Sequence, residues 1–335
     1  MLDIPVVLFV FKRKDTLSRI ISRIRDAGPR KIYIIADGPR TEEEKLLTDE
    51  VRSYVESLID WDCEVVKNYA EENKGVYDRI GKGAKWVLET EESAIFLEDD
   101  NLPETSFFRF CQEMLERYKE DTRVLWVCGT NYLEKYSEPN NASYVYTQHL
   151  LPCGWATWAP KYNKYYDGDL KLLSENSWKS IESSYSDSRL YQQDKDVVIK
   201  TKRLLETLPN IASWDRQMLF SLRVNSLYGI APTVNLIKNI GVDEHSTHGG
   251  NSMKKTMTGR FCEIPTTSLT FPLKHPTFML PDSKYEKLVG EIILYPLLTR
   301  IMMSVVRNLK PLFGLRTDES IVIKLRQRKK NNNNG

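Results

Sequence analysis

Five short apolar runs in the first 130 residues, separated by stretches with helical periodicity, limit the folds open to this chain more than any other feature. Residues 4–11 (IPVVLFVF), 31–36 (KIYIIA), 63–67, 94–97 (AIFL) and 124–128 (VLWVC) read as strands. The nearly unbroken apolarity of the first suits a strand buried on both faces. After it, Leu17, Ile20, Ile21 and Ile24 share one helical face behind an expected N-cap at Asp15, and Gly28-Pro29 ends the pattern. Residues 41–59, with Leu46, Leu47, Val51, Val55 and Leu58 at helical spacing, predict a second helix. Residues 75–89 and about 104–118 predict two more. Strand and helix in alternation predict an α/β fold, a doubly wound, mostly parallel sheet flanked by helices. Such sheets bind ligands beyond the carboxyl ends of their strands.

The strand at 94–97 empties into Glu98-Asp99-Asp100. Adjacent carboxylates repel one another, and a cation relieves them. Oxygen ligands of this kind suit Mg²⁺ or Mn²⁺ with phosphate oxygens completing the shell. A solvated turn capping the next helix is the plainer reading of the same residues. The neighbouring loops favour the first: strand one ends at Phe11-Lys12-Arg13, strand two at Asp37-Gly38-Pro39-Arg40, and Asn73-Lys74-Gly75 opens a helix bearing Arg79 and Lys82. On one sheet edge these residues describe a pocket for a nucleoside diphosphate. Neither GxGxxG nor GxxxxGK[ST] occurs, which disfavours a dinucleotide or P-loop site.

In this order the stretches PVVLFVFKR, IYIIADGPR, NKGVYDRIGKGAKWVLE, AIFLEDDNLPETSFFRFCQEML, LPCGWATWAPKY, SWDRQM and PTVNLIKNIGVDEHSTH resemble the GT-A nucleotide-diphospho-sugar glycosyltransferases. Within these they are most similar to the N-acetylglucosaminyltransferase I-like group. The resemblance implies a GT-A domain over residues 1–285, with a nucleotide-sugar half (1–130) and an acceptor half (131–285). It implies that Asp100 meets the metal, that Glu98 and Asp99 face the donor sugar and ribose, and that Asp37 and Arg13 contact the nucleotide base. Asp215, after Trp214, matches the catalytic base; a helix N-cap is its alternative role. The implied reaction is a metal-dependent, inverting transfer from a nucleotide-sugar donor, a UDP-sugar first, to a glycan or lipid-linked acceptor. A carboxylate takes the acceptor hydroxyl's proton as that oxygen attacks the anomeric carbon.

Other residues carry weaker signals. Gly154-Trp155-Ala156-Thr157-Trp158 reads either as an acceptor-side wall, with Trp155 and Trp158 against a sugar face, or as a packed helix start. His245 and His248 are either solvated or near the diphosphate, with His248 a candidate metal ligand. Two rival functions remain open. A sugar-phosphate nucleotidylyltransferase wants a glycine-rich loop after strand one, which Phe11-Lys12-Arg13-Lys14-Asp15 lacks. A non-catalytic glycan-binding or membrane-active protein would tolerate replacement of Asp100 and Asp215.

Charge narrows the partners. With 48 basic and 46 acidic residues the net charge is +2, so no nucleic-acid partner is expected. The five cysteines are widely spaced without a CxxC pair, which suits a reduced compartment. The start, MLDIPVV, has no basic n-region, and a cytoplasmic location is expected. Residues 286–316 predict an amphipathic helical appendage: 292–315 is largely apolar with Arg300, Ser304, Arg307 and Lys310 on a narrow stripe. That pattern suits an anionic membrane surface at the inner face of the membrane, or packing on the body or across a homodimer. The tail, 317–335, ends LRQRKKNNNNG and is expected to be basic and disordered.

Overall fold

The structure, a computed structural model, describes residues 2–242 and 256–313. Ten strands form two sheets: β1 (Val6–Val10), β2 (Lys31–Ala36), β3 (Glu64–Tyr69), β4 (Ser93–Glu98), β5 (Asn101–Pro103), β6 (Val124–Cys128), β7 (Tyr144–Thr147), β8 (Trp155–Trp158), β9 (Tyr228–Pro232) and β10 (Ile237–Asn239). The main sheet has eight strands in the order β3-β2-β1-β4-β8-β6-β9-β7, and β5 pairs with β10 beside it. β3, β2, β1 and β4 are mutually parallel, as are β6 and β9. β8 runs antiparallel to both β4 and β6, and β7 antiparallel to β9. The mostly parallel α/β sheet read from the sequence is therefore present. β6 does not continue the parallel series directly, because β8, read as acceptor wall or helix start, is inserted before it.

The helices are α1 (Leu17–Ala27), α2 (Glu42–Ser57), α3 (Gly83–Val87), α4 (Ser106–Arg117), α5 (Ala159–Tyr165), α6 (Glu175–Ile181), α7 (Ser188–Thr207), α8 (Asp215–Val224), α9 (Thr256–Phe261), α10 (Ser283–Ile293) and α11 (Leu297–Leu309). A π-helical turn, Tyr77–Lys82, leads into α3. Alternate strand residues feed two cores. Val6, Leu8 and Val10 pack with α1, α2 and α4, while Val7 and Phe9 pack with α3, α5, α8 and α10. A third cluster joins Trp178 of α6 to Tyr191 and Val198 of α7 and Phe220 of α8.

Two local expectations change. Asp15 does not cap α1; Thr16 precedes the helix, and its hydroxyl donates to the Asp99 carbonyl rather than accepting from a helix N–H. In α2 the buried stripe runs through Thr48, Val51 and Val55, so Leu46 and Leu47 face solvent. Thr41 caps that helix, its side chain accepting from Glu44 N at 3.3 Å. The appendage expected over 286–316 divides: α10 buries Tyr285, Val289 and Gly290 against the body, and α11 does not pack into any described core cluster.

Candidate functional site

Because β2, β1 and β4 are adjacent and parallel, the loops after Ala36, Val10 and Glu98 open on one edge. A cleft of about 1090 Å³ lies there. Its apolar lining includes Phe9, Phe11, Ile35, Val76 and Ile80, and its polar lining includes Arg13, Arg40, Arg79, Glu98 and Asp99. Sequence reasoning thus brought together Phe11, Arg13, Asp37, Arg79, Glu98 and Asp99, which all line it. Lys82 does not: it is exposed and pairs with Asp78 at 3.0 Å.

The acids at the end of β4 are held individually. Asp99 accepts from Phe11 N at 3.0 Å and from Arg13 Nη1 at 3.2 Å. The same Nη1 donates to Asp100 Oδ2 at 3.0 Å, and Arg13 Nη2 reaches the Gly241 carbonyl at 3.4 Å. Asp100 Oδ1 accepts from Asn101 Nδ2, and the Asp100 carbonyl accepts from Ile240 N at 2.8 Å. A Cβ at Gly241 would lie 2.4 Å from Asp100 Oδ2, so a larger residue there would displace the Asp100 carboxylate. Burial pushes the Glu98 carboxyl well above the usual range, with Asp100, Asp99 and Asp215 adding to it. Burial also raises Asp99, to about 6, against the opposing pull of Arg13.

Arg13, expected at the nucleotide base, is therefore the positive partner of the acids. Among the described residues no three His, Cys, Asp or Glu side chains form a metal cage by themselves, and Asp100 gives its oxygens to Arg13 and Asn101. The phosphate oxygens expected to complete a Mg²⁺ or Mn²⁺ shell beside Asp100 would come with the nucleotide. His248 lies outside the described residues.

Asp37 also differs from expectation. Its Oδ1 accepts from Gly38 N and Lys74 N, both at 2.8 Å; its Oδ2 accepts from Asn73 Nδ2 at 2.8 Å and Gly75 N at 3.0 Å. Four donors fill the sites of a carboxylate, so Asp37 fastens the 73–75 loop and has no acceptor left for a base. Arg79 donates to Asn68 O at 2.7 Å and Asn68 Oδ1 at 2.9 Å, and burial lowers its pKa.

Trp155 and Trp158 are 1% and 2% exposed and cannot meet an acceptor. Trp155 stacks on Phe96 at 3.9 Å, on Trp126 at 4.2 Å and on Trp214 at 5.3 Å. Trp158 donates to the Leu115 carbonyl at 2.8 Å. The Trp155 column supports Trp214, the residue that precedes α8, and so seats Asp215. Asp215 is the first residue of α8 rather than its cap, and pairs with Arg216 Nε at 3.5 Å. Its charge adds to the upward push on Glu98, Tyr132 and Tyr166, each raised chiefly by burial.

Sequence reasoning missed several residues. Arg40 lies over the Phe11 ring at 5.2 Å, a position its place in the Asp-Gly-Pro-Arg turn could have signalled. Asn210 and Ile211 close the cleft from the second half, with Asn210 Nδ2 donating to Asn73 O at 3.3 Å. No local pattern marks them. Arg216 and Tyr132 stand on the Asp215 side.

No family model matches the sequence, and neither does any curated protein. Among solved structures, the chain is similar to a mannosyltransferase from Pyrobaculum calidifontis in complex with GDP-Man and Mn²⁺, at 12% identity over 66% of this chain and 71% of that one, TM-score 0.38. It is also similar to UDP-glucose pyrophosphorylase complexed with UDP-glucose, at 12% identity over 71% and 94% of the two chains, TM-score 0.34. A third is HddC from Yersinia pseudotuberculosis, at 12% identity and TM-score 0.27, covering 44% of this chain and spanning 60% of that one. Overlaps this slight carry no argument about chemistry, which has to come from the cleft itself.

Proposed function

We propose that the chain is a GT-A-type glycosyltransferase that takes a nucleotide-diphosphate sugar in the cleft and transfers the sugar, with inversion, to an acceptor hydroxyl at Asp215. One observation supports this reading above the others: a cleft with apolar walls and arginines on its lining ends at Glu98 and Asp99, the acids that follow β4. The apolar floor around Phe9, Ile35 and Ile80 receives a planar base. Arg40 and Arg79 face the diphosphate. Arg13, already bound to Asp99 and Asp100, contributes positive charge where the leaving diphosphate gains negative charge. Glu98, whose carboxyl burial shifts toward the protonated form, faces the sugar hydroxyls. Asp215 takes the acceptor's proton as the new C–O bond forms and the bond to the diphosphate breaks.

The test is a thermal-shift panel of UDP, GDP, CMP and dTDP with their common sugars, each with and without Mn²⁺. A ligand that binds only the folded chain raises its melting point by mass action. One nucleotide diphosphate is expected to raise it, and Arg79→Ala to reduce that shift. The Mn²⁺ arm tells whether the diphosphate brings a cation to Asp100 or meets Arg13 alone. Asp215→Asn should keep the shift and lose transfer, by about 100-fold or more if Asp215 is the base. Loss of the shift in Asp215→Asn would move that residue to donor binding. Pyrophosphate release from a nucleoside triphosphate and a sugar phosphate would replace the transferase reading with a nucleotidylyltransferase.

A further inference from the structure

α10 packs on the body, and the chain then bends by 65° into α11. The bend is fastened from three sides. Gln193 of α7 donates to Ile293 O at 3.2 Å and accepts from Tyr295 N at 2.7 Å. Arg260 Nη2 donates to Leu294 O at 2.9 Å. Arg300 Nε donates to Tyr295 O at 3.0 Å. The direction in which α11 leaves the body is thus set by the fold.

α11 carries its apolar side chains outward. Leu297, Leu298, Ile301, Met302, Val305 and Leu309 are each at least 45% exposed, and Leu298 reaches 80%. Contiguous apolar surface of this kind marks an interaction site. From Leu297 to Lys310 the charged residues are Arg300, Arg307 and Lys310, with no acid among them. A second copy of this helix would bring further bases and no acid to offset them. An anionic lipid surface instead offers opposite charge to the bases and an apolar layer to the leucines and methionines. Thirteen residues extend about 20 Å, short of the roughly 30 Å hydrocarbon core. No single described helix is long and apolar enough to cross a membrane.

We propose that α11 lies in the headgroup plane of an anionic bilayer and seats the protein there by its exposed apolar side chains and its bases. The bend is tied to the body on the side of α7 and α9, through Gln193 and Arg260.

The experiment sediments the full chain with vesicles of equimolar phosphatidylglycerol and phosphatidylcholine, and with phosphatidylcholine alone, at low and high salt. The double substitution Leu298→Glu/Met302→Glu changes two exposed positions and leaves the cores untouched. The wild type is expected to pellet with the anionic vesicles in a salt-sensitive way, and the variant to bind about tenfold less. Wild type remaining in the supernatant overturns the proposal. So does a wild-type dimer that the substitutions dissociate without any vesicle binding, which would give α11 to a second copy. The nucleotide melting shift, read on the same two proteins, keeps the readings apart: vesicle binding without a nucleotide shift retains the membrane seat and removes the transferase.

Discussion

The acid cluster is where single residues decide most. Glu98 releases its proton in the ordinary carboxylate range when unfolded and well above it when folded. Between those two values the folded chain holds a proton that the unfolded chain has lost. Stability therefore falls as pH rises through that window and levels off beyond the folded value. Asp99 adds the same slope between 3.8 and about 6. Each unit of such a shift corresponds to about 1.4 kcal/mol. Glu98→Gln keeps the shape and removes the charge, so melting temperatures from about pH 4 to about pH 8 should fall less steeply than in the wild type. The variant should be the more stable protein at the alkaline end, with the gap closing toward acid. Parallel curves would mean that Glu98 is solvated in the folded chain.

At the scale of elements, the loops are fixed by contacts distant in sequence. Asp37 ties the turn after β2 to residues 73–75 through two backbone N–H groups and one amide, and also accepts from Gly38 N within the turn. Asp37→Ala leaves the Gly75 N–H buried without that partner, at a cost of about 1–3 kcal/mol. It should also loosen the wall that carries Arg79. Lower melting together with weaker nucleotide binding is expected; unchanged nucleotide affinity would separate this loop from the cleft. The strands of the first half were legible because their apolar runs are bounded by Gly, Pro and Asp. Glu98, Asp99 and Arg13 were legible because they follow those runs, and Arg79 because it sits at the start of a helix opened by Asn73-Lys74-Gly75. Asp37's task was not, since the donors that fill it lie mostly 36 to 38 residues away. β8 was not legible either: Trp-Ala-Thr-Trp is four residues long and runs straight into a helix, and its strand character comes from having β4 on one side and β6 on the other.

For the whole molecule, the boundary between body and appendage lies later than composition suggested. A cut after Lys287 removes Val289 and Gly290, and Gly290 sits against Leu190 and His149. A cut after Tyr295 removes α11 and the residues C-terminal to it while leaving α10 whole. The longer protein should melt within a degree or two of the full chain, because surface removals away from packed features cost within about 0.5 kcal/mol. The shorter one should lose about 2–5 kcal/mol through its emptied core. Equal losses in both would show that α11 is packed after all. Scanning calorimetry of the two proteins makes the comparison.

The antiparallel insertion of β8 also bears on how the chain is made. A nascent chain that has emerged as far as Cys128 can pair β3, β2, β1 and β4, yet β6 has no partner until Trp155–Trp158 arrives between it and β4. During that interval of translation, β4 presents an open, fully apolar edge at Ala94, Ile95, Phe96 and Leu97, a template for pairing with other chains. The ribosome must deliver some thirty further residues before this edge is covered, at about 5–20 residues per second. Slowing translation over residues 129–158 should therefore raise aggregation of the newly made protein more than slowing it after β8.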